Sequence, residues 1–381
     1  MKKLSIKQRQ RDIRLGLLPH KGRRKTTNYK AAESDETADE NWQSTNTWID
    51  ERKGKELNIS INKKRHITLY LPEEMNFFDG YDSTVLNISA IRKLVETKTL
   101  PTKAYRLVSV NFDNLKKIST SAALVLTAEL SKWDDATRQK LRPMVDNWNP
   151  NILKQFTELG FFDLFQKNSI ESLNNDEAST SKLRLVKYIK GRCGDSDKAR
   201  ILKKGINEIV DNTVNKWTFL HSGLTEAITN VSHHAYPDKC GFLKDDKNWY
   251  LTGSYNEQTK ELKIVFYDQG IGIPRSLPES DVWEKILKFL SKIPLAERKR
   301  DEVLLKAAVE LDRTSTEETD RGKGLQDLLE FIRQRNDGYL SILSLKGLFK
   351  FSLHDGKEKT KTEHFSNAIC GTLIIWSATL D

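Results

Sequence analysis

With 381 residues, 37% of them hydrophobic and 30% charged, the chain is long enough for two packed cores, and it has no apolar run of about eighteen residues that could span a membrane as a helix. The formal net charge of +10 is a local property: residues 1–30 hold 11 of the 63 Lys and Arg against one acid, Asp12, and the remaining 52 bases face 52 acids. Cys193, Cys240 and Cys370 are odd in number and far apart, which argues against a disulfide framework and for a reduced, cytoplasmic setting.

Residues 1–60 read as a basic, disordered arm followed by a polar linker, and the basic start lacks the apolar stretch of a secretory signal. Arg9, Arg11, Arg14, Lys21, Arg23, Arg24 and Lys25 suit a phosphate backbone or an acidic protein face, and a solvated arm accounts for them equally. Ile13, Leu15, Leu17 and Leu18 could form a short docking element within it. A first α/β domain is expected over 61–168. Residues 66–71 alternate as a strand, 106–112 form a second, and 121–130 follow as a helix capped by Ser119 or Thr120. Residues 141–145 are expected to be a further strand, and 152–165 have apolar positions at helical spacing. Polar residues 166–180 separate this domain from a second one at 181–381, which a helix over 204–214 feeds.

The second domain carries the chemistry. Residues 218–235 are predicted to be one helix, with Leu220, Leu224, Ala227, Ile228, Val231 and Ala235 on its apolar face. Glu226, Asn230 and His234 then form a second stripe at four-residue spacing. A carboxylate there can act as a general base, and an amide oxygen can join the oxygen ligands of Mg²⁺. Residues 262–267 read as a buried strand ending at Asp268, followed by Gly270 and Gly272, which allow positive φ and close backbone approach. Arg321, Gly322, Lys323 and Gly324 precede a helix marked by Leu325, Leu328, Leu329 and Ile332, a setting that favours phosphate, although no P-loop pattern occurs. Near the end, Gly371 and Thr372 precede a strand over 373–376. His233 and His234 point to different sides of a helix, so a zinc site is not expected.

In this order, Glu226/Asn230, Asp268-Gln-Gly270-Ile-Gly272, Gly322-Lys-Gly324-Leu325 and Gly371-Thr372 resemble the N, G1 and G2 boxes and terminal Gly-Thr of the GHKL (Bergerat-fold) ATPases. The stretch Glu226-Ala-Ile-Thr-Asn230-Val-Ser-His-His234-Ala-Tyr is closest to the anti-sigma-factor serine kinases of that superfamily. The resemblance covers about 181–381 and implies ATP and Mg²⁺ as cofactors. Glu226 would be the catalytic base, Asn230 the magnesium ligand and Asp268 the adenine partner. Gly270 and Gly272 would shape the adenine edge, Thr372 would assist the base, and His234 would orient neighbouring groups. Arg321, Gly322, Lys323, Gly324 and Leu325 would hold the phosphates, and 276–320 would form a lid. Gln326 departs from the pattern, because relatives often have another Gly there. Residues 108–165 resemble the STAS-like anti-sigma-factor antagonists, in which a Ser or Thr at the helix start, here Ser119, Thr120 or Ser121, can accept phosphate.

The expected fold class is therefore α+β, an α/β sandwich in which a Bergerat-fold domain follows a STAS-like domain. The expected function is an ATP- and Mg²⁺-dependent regulatory switch that hydrolyses ATP or transfers its phosphate to a protein Ser or Thr. A non-catalytic nucleotide-binding module and a nucleic-acid-associated ATPase stand as alternatives. A regulatory protein is the expected partner; nucleic acid bound through residues 1–30 and a second copy of the chain remain open, and no membrane is expected.

Overall fold

The computed structural model describes residues 38–95, 101–165, 181–210, 214–280, 283–315 and 324–380. The chain is mixed α/β, and it divides into two compact units. One comprises the described residues of 33–188 together with 252–260, and the other those of 189–251 and 261–381. Among the described residues no helix is long and apolar enough to cross a membrane.

The first unit contains helices α1 (Ala38–Arg52), α2 (Tyr81–Val95), α3 (Thr120–Leu130), α4 (Asp135–Lys140) and α5 (Pro150–Leu159). Its strands are β1 (Ile59–Ile61), β2 (His66–Tyr70), β3 (Glu74–Met75), β4 (Arg106–Asn111), β5 (Lys117–Ile118) and β6 (Leu183–Leu185). Strands β1, β2 and β4 form a small sheet in which β2 and β4 are parallel. A parallel pair needs a crossover between its strands, and α2 lies within that connection. Alternation places Ile67 and Leu69 of β2 inside. Every residue of α3 is buried, including Glu129, whose carboxylate takes bonds of 3.0 and 3.1 Å from Nε of Arg92. Asn149 caps α5, Pro150 occupies its first turn, and Gly160 ends it in the left-handed region. Beside it Phe112 stacks on Trp148 at 4.3 Å, and Phe156 meets Phe161 at 4.7 Å.

This unit differs from the sequence reading at four points. Residues 38–52 are a helix rather than linker, and the cause lies in its polar residues. Asn46 donates to the Lys103 carbonyl and accepts the Tyr105 N–H, both at 2.9 Å, while the Tyr105 hydroxyl donates to Asp50 at 2.8 Å. Residues 141–145 are not a strand: Pro143 has no N–H to give a ladder, and the segment runs without regular structure into Trp148. Helix α2, whose apolar positions are interrupted by Asp82, Ser83, Thr84 and Asn87, adds an element that the pattern did not announce. Residues 181–188 and 252–260 belong to this unit, so its boundary does not coincide with the polar stretch at 166–180. That stretch and the arm at 1–37 lie outside the described residues.

The second unit begins with β7 (Ile189–Arg192), α6 (Ala199–Val210) and α7 (Trp217–Asn230). Strands β8 (Asn248–Asn256) and β9 (Glu261–Asp268) follow, with residues 248–251 of β8 in this unit. Next come α8 (Ile273–Ser276), α9 (Trp283–Leu290), α10 (Asp301–Ser315) and α11 (Gly324–Arg335), then β10 (Gly338–His354) and β11 (Lys357–Thr379). The strand order is β10-β11-β9-β8, with β7 also paired to β8. Helices α7 and α11 pack together, and α11 also lies against β10. The apolar face predicted for α7 is the buried one, with Leu220, Leu224, Ala227 and Ile228 inside. The indole N–H of Trp376 on β11 donates to the Leu328 carbonyl of α11 at 2.8 Å, tying helix to sheet.

Within 276–320 the described part is largely helical and has a core of its own: Leu277, Trp283, Ile286, Leu290, Leu304, Ala307 and Ala308. The β10–β11 hairpin is longer than the sheet it serves, because only 372–379 of β11 pair with β9. Asp355 and Gly356, both at positive φ, make its two-residue turn. Register shifts at Ser344/Leu345 and Leu345/Gly347 separate the sheet half from the distal half. The distal half is held by Arg333 over the Phe351 ring at 5.5 Å, by His354 on Asp337 at 2.6 Å and by His364 on Glu302 at 2.7 Å.

Candidate functional site

Helix α7 carries Glu226 and Asn230 one turn apart, both half-buried, as the four-residue spacing requires. The helix does not continue unchanged to 235: residues Val231–Ala235 form a π-helical turn. This widening takes His234 off the regular stripe of Glu226 and Asn230 and leaves it half-buried, beside an exposed His233.

The π turn delivers Ala235 and Tyr236 to the loop after β9. The Ala235 carbonyl accepts the Ile271 N–H at 2.9 Å. The Tyr236 hydroxyl accepts the Gln269 N–H at 3.1 Å and donates to the Asn248 carbonyl at 2.5 Å. Burial, and then the nearby Asp268 carboxylate, push the Tyr236 phenol far above its ordinary range, so it keeps the proton that this bridge uses. Gly270 is required here by contact rather than by φ, since a Cβ would lie 2.3 Å from the Ala235 carbonyl oxygen. Gly272 does take positive φ, at +84°.

Asp268 ends β9 at 4% exposure, and its Oδ1 accepts the Gly270 N–H at 2.8 Å. Directly opposite, in register on β11, is Thr372, equally buried. Thr372 is not at a strand start as predicted; it lies inside β11, just after two residues, Cys370 and Gly371, that the β10 register skips. Gly371 has a φ of +70°, and a Cβ there would come 2.1 Å from the Asp268 carbonyl oxygen, so this bulge brings β11 down onto β9 only with glycine. Burial also pushes the Cys193 thiol upward, with the Asp268 charge adding to the effect against Lys247, so this cysteine is held as a thiol.

The structure adds a residue the pattern did not single out. Ser344 of β10 is fully buried at the register shift opposite Thr372. Its hydroxyl accepts the Ile273 N–H at 3.0 Å, donates to the Gly371 carbonyl at 3.0 Å and lies 3.2 Å from the Thr372 hydroxyl. A serine inside an apolar strand gives little signal in sequence; the signal here is structural, at the point where three backbone segments converge.

Among the remaining predicted residues, Gly324 is the first residue of α11, the helix it was expected to precede. Arg321, Gly322, Lys323 and the Leu325 side chain lie outside the described residues. Gln326, the departure from the expected glycine, is buried: its Nε2 donates to the Val309 carbonyl of α10 at 2.5 Å, and its Oε1 accepts from Arg333 at 3.2 Å. It thereby ties α11 to α10, the two helices that flank residues 316–323. The structure thus brings Asp268, Gly270, Gly272 and Thr372 together through direct bonds and register, with the π turn of α7 docked on the same loop. Among the described residues no group of three or more His, Cys, Asp or Glu is arranged to hold a metal ion.

In the first unit, each hydroxyl of the expected phosphoacceptor group has a structural bond. Ser119 caps the Ala122 N–H at 3.2 Å and meets Ser121 at 3.1 Å, and Thr120 bonds Ser254 at 2.8 Å. Thr120 and Ser121 are each 4% exposed. No protein-family model matches the chain, and no curated protein matches it.

Proposed function

We propose that the second unit binds Mg²⁺-ATP as a Bergerat-type nucleotide domain and acts as a regulatory switch, hydrolysing ATP or passing its terminal phosphate to a protein hydroxyl. The observation that carries this reading is the Asp268–Thr372 register pair, set at the mouth of a glycine-bracketed loop against which the end of the Glu226/Asn230 helix docks. The donor set fits such a ligand chemically: an acceptor pair for a base amine, an amide oxygen for a hard cation, a carboxylate for a proton and a helix start at Gly324. Two bound oxygens of that set, on Asp268 and Thr372, are already oriented by neighbouring backbone and by Ser344, which spares the ordering cost that a loose site would incur.

In this reading Asp268 holds the base and Gly272 lets the loop approach it. Asn230 supplies a cation oxygen beside the phosphates. Glu226, one turn earlier, orients the attacking hydroxyl or water and takes its proton. Gly324 offers its backbone N–H at the start of α11, and Arg321 and Lys323, which precede it in sequence, would add charge. Bound Mg²⁺-ATP supplies the phosphoryl group and the metal charge that neutralises it. Gln326, by fixing α11 to α10, helps to position the start of that helix. The first unit, with its parallel β2–β4 pair and crossover helix, is read as a STAS-like domain that presents a surface to a regulatory partner. Its residues 119–121 serve as a helix start rather than as a phosphate acceptor.

Incubation with ATP labelled in the γ-phosphate tests the reading, with free phosphate scored against labelled protein in the presence of Mg²⁺. Release or transfer that stops when EDTA is added is the expected result. Label that goes to neither product, with or without Mg²⁺, would leave a binding module in place of a switch.

A further inference from the structure

The hydroxyl protons around Ser344 can be counted. A serine has one proton and two acceptor lone pairs. The Gly371 carbonyl can only accept, so at 3.0 Å it takes the Ser344 proton. One Ser344 lone pair receives the Ile273 N–H at 3.0 Å. The remaining contact, 3.2 Å to Thr372, is then a bond in which Thr372 donates to the second lone pair of Ser344. This assignment satisfies all four groups at a site where Ser344 is fully buried and Thr372 is 4% exposed, and an orphaned proton or carbonyl there would be costly.

The consequence falls on Thr372. With its one proton committed to Ser344, its oxygen can offer only lone pairs to a ligand. Asp268, its register partner on β9, offers only lone pairs when ionised. The two therefore make an edge of acceptors with no donor in it. Such an edge takes a base that presents an amine and repels one that presents a carbonyl at the same place. If Ser344 lost its hydroxyl, Thr372 could rotate and donate, and the edge, with Asp268 still an acceptor, would discriminate less sharply against the carbonyl.

We propose that Ser344 is a specificity-determining positioning residue: by binding the Thr372 proton, it makes the site select an amino-bearing purine nucleotide over its oxo counterpart. The proposal rests on the nucleotide reading above. It adds a residue whose effect on the choice of base runs through Thr372.

The probes are Mg²⁺-ATP and Mg²⁺-ITP, which carries a carbonyl where ATP carries the amine, titrated calorimetrically into the full chain. Wild-type protein is expected to prefer ATP. In Ser344→Ala the ATP-to-ITP affinity ratio should fall roughly tenfold, the worth of about one hydrogen bond. Any loss from the bereaved Ile273 N–H should weaken both nucleotides alike. Thr372→Val should lower the ratio as well, and Thr372→Ser should keep it. The Ser344→Ala/Thr372→Val double variant should have the same ratio as Thr372→Val alone, because the two act in series. Should Ser344→Ala fail to fold, Ser344→Cys, a near-isosteric but poor acceptor, is expected to shift the ratio in the same direction. An unchanged ratio in the folded Ser344 variant, or additive effects in the double variant, overturns the proposal while ATP binding itself stands. Wild-type protein that binds neither nucleotide overturns the nucleotide reading, and the proposal falls with it.

Discussion

Ser119, Thr120 and Ser121 of the first unit and Glu226, Asn230 and His234 of the second are both polar sets on or beside an apolar helix, and folding treats them differently. Ser119, Thr120 and Ser121 spend their hydroxyls on a helix cap, on each other and on Ser254, in a helix with every residue buried. Glu226 and Asn230 stay half-buried along a helix whose opposite face carries the packing, and His234 is half-buried in the π turn that follows. The contrast separates polar residues that a core buries, as it does Thr120 and Ser121, from polar residues that packing leaves half-buried. Only the second kind is a good place to look for chemistry, however similar the two look as strings of letters.

The largest expected effect tests the chemical side of that contrast. Glu226→Gln should leave Mg²⁺-ATP affinity within a few-fold of wild type while phosphate release or transfer falls about 10²- to 10⁴-fold, the range for losing a general base. Single-turnover assays check it, and turnover that survives would place the base elsewhere. Gly270→Ala comes next: its methyl would sit 2.3 Å from the Ala235 oxygen, so the loop must part from the π turn. It should lower ATP affinity at least tenfold and cost about 1–3 kcal/mol of stability, an overpacking cost read by denaturant unfolding. Normal affinity in that variant would mean that the docking of the π turn on this loop is immaterial to binding.

On the structural side of the comparison, Ser119→Ala removes a cap and should cost about 1 kcal/mol. ATP affinity and turnover should not move, and a loss of activity in a folded Ser119→Ala protein would reverse the contrast. The smallest effect concerns the hairpin arm. Burial raises the Asp337 carboxyl, but bonds from His354 and Thr379 outweigh it and hold the group below its ordinary 3.8. A carboxyl lowered on folding contributes stability that is present above 3.8 and lost as pH falls through its folded value. The melting temperature of Asp337→Asn should therefore run parallel to wild type, about 1–2 °C lower, near neutrality and converge with it below about pH 4, as suits a largely exposed pair. Curves that stay parallel into acid would remove the carboxylate from the account.

Where the sequence was readable, the reason was periodicity. Leu220, Leu224, Ala227 and Ile228 mark α7, and Leu328, Leu329 and Ile332 mark α11, because both helices bury one face only. Strand β9 and its terminal Asp268 were legible for a like reason, an apolar run from Ile264 to Tyr267 closed by Asp268 and the glycines after it. What escaped depended on side chains substituting for backbone. Helix α1 is fixed by Asn46 reaching Lys103 and Tyr105, a polar solution that hydrophobic spacing cannot register. The π turn at Val231–Ala235 leaves Val231 and Ala235 buried, as a plain helix reading also expects, so the apolar pattern does not reveal it. Ser344 is one letter in an apolar strand until β11 bulges onto it. The turn of the long hairpin carried a signal that the sequence reading did not use, Asp355-Gly356, but the Lys- and Glu-rich residues after it hid the strand that follows.

The central claim is that the second unit holds Mg²⁺-ATP at the Asp268–Thr372 pair, and calorimetry on wild type and Asp268→Asn tests it most directly. The account predicts saturable one-site binding to wild type and a loss of about a hundredfold or more in the variant, the worth of a charge-assisted bond, with the unfolding transition still cooperative. Wild-type protein with no measurable affinity, or a variant that binds as tightly as wild type, would contradict it.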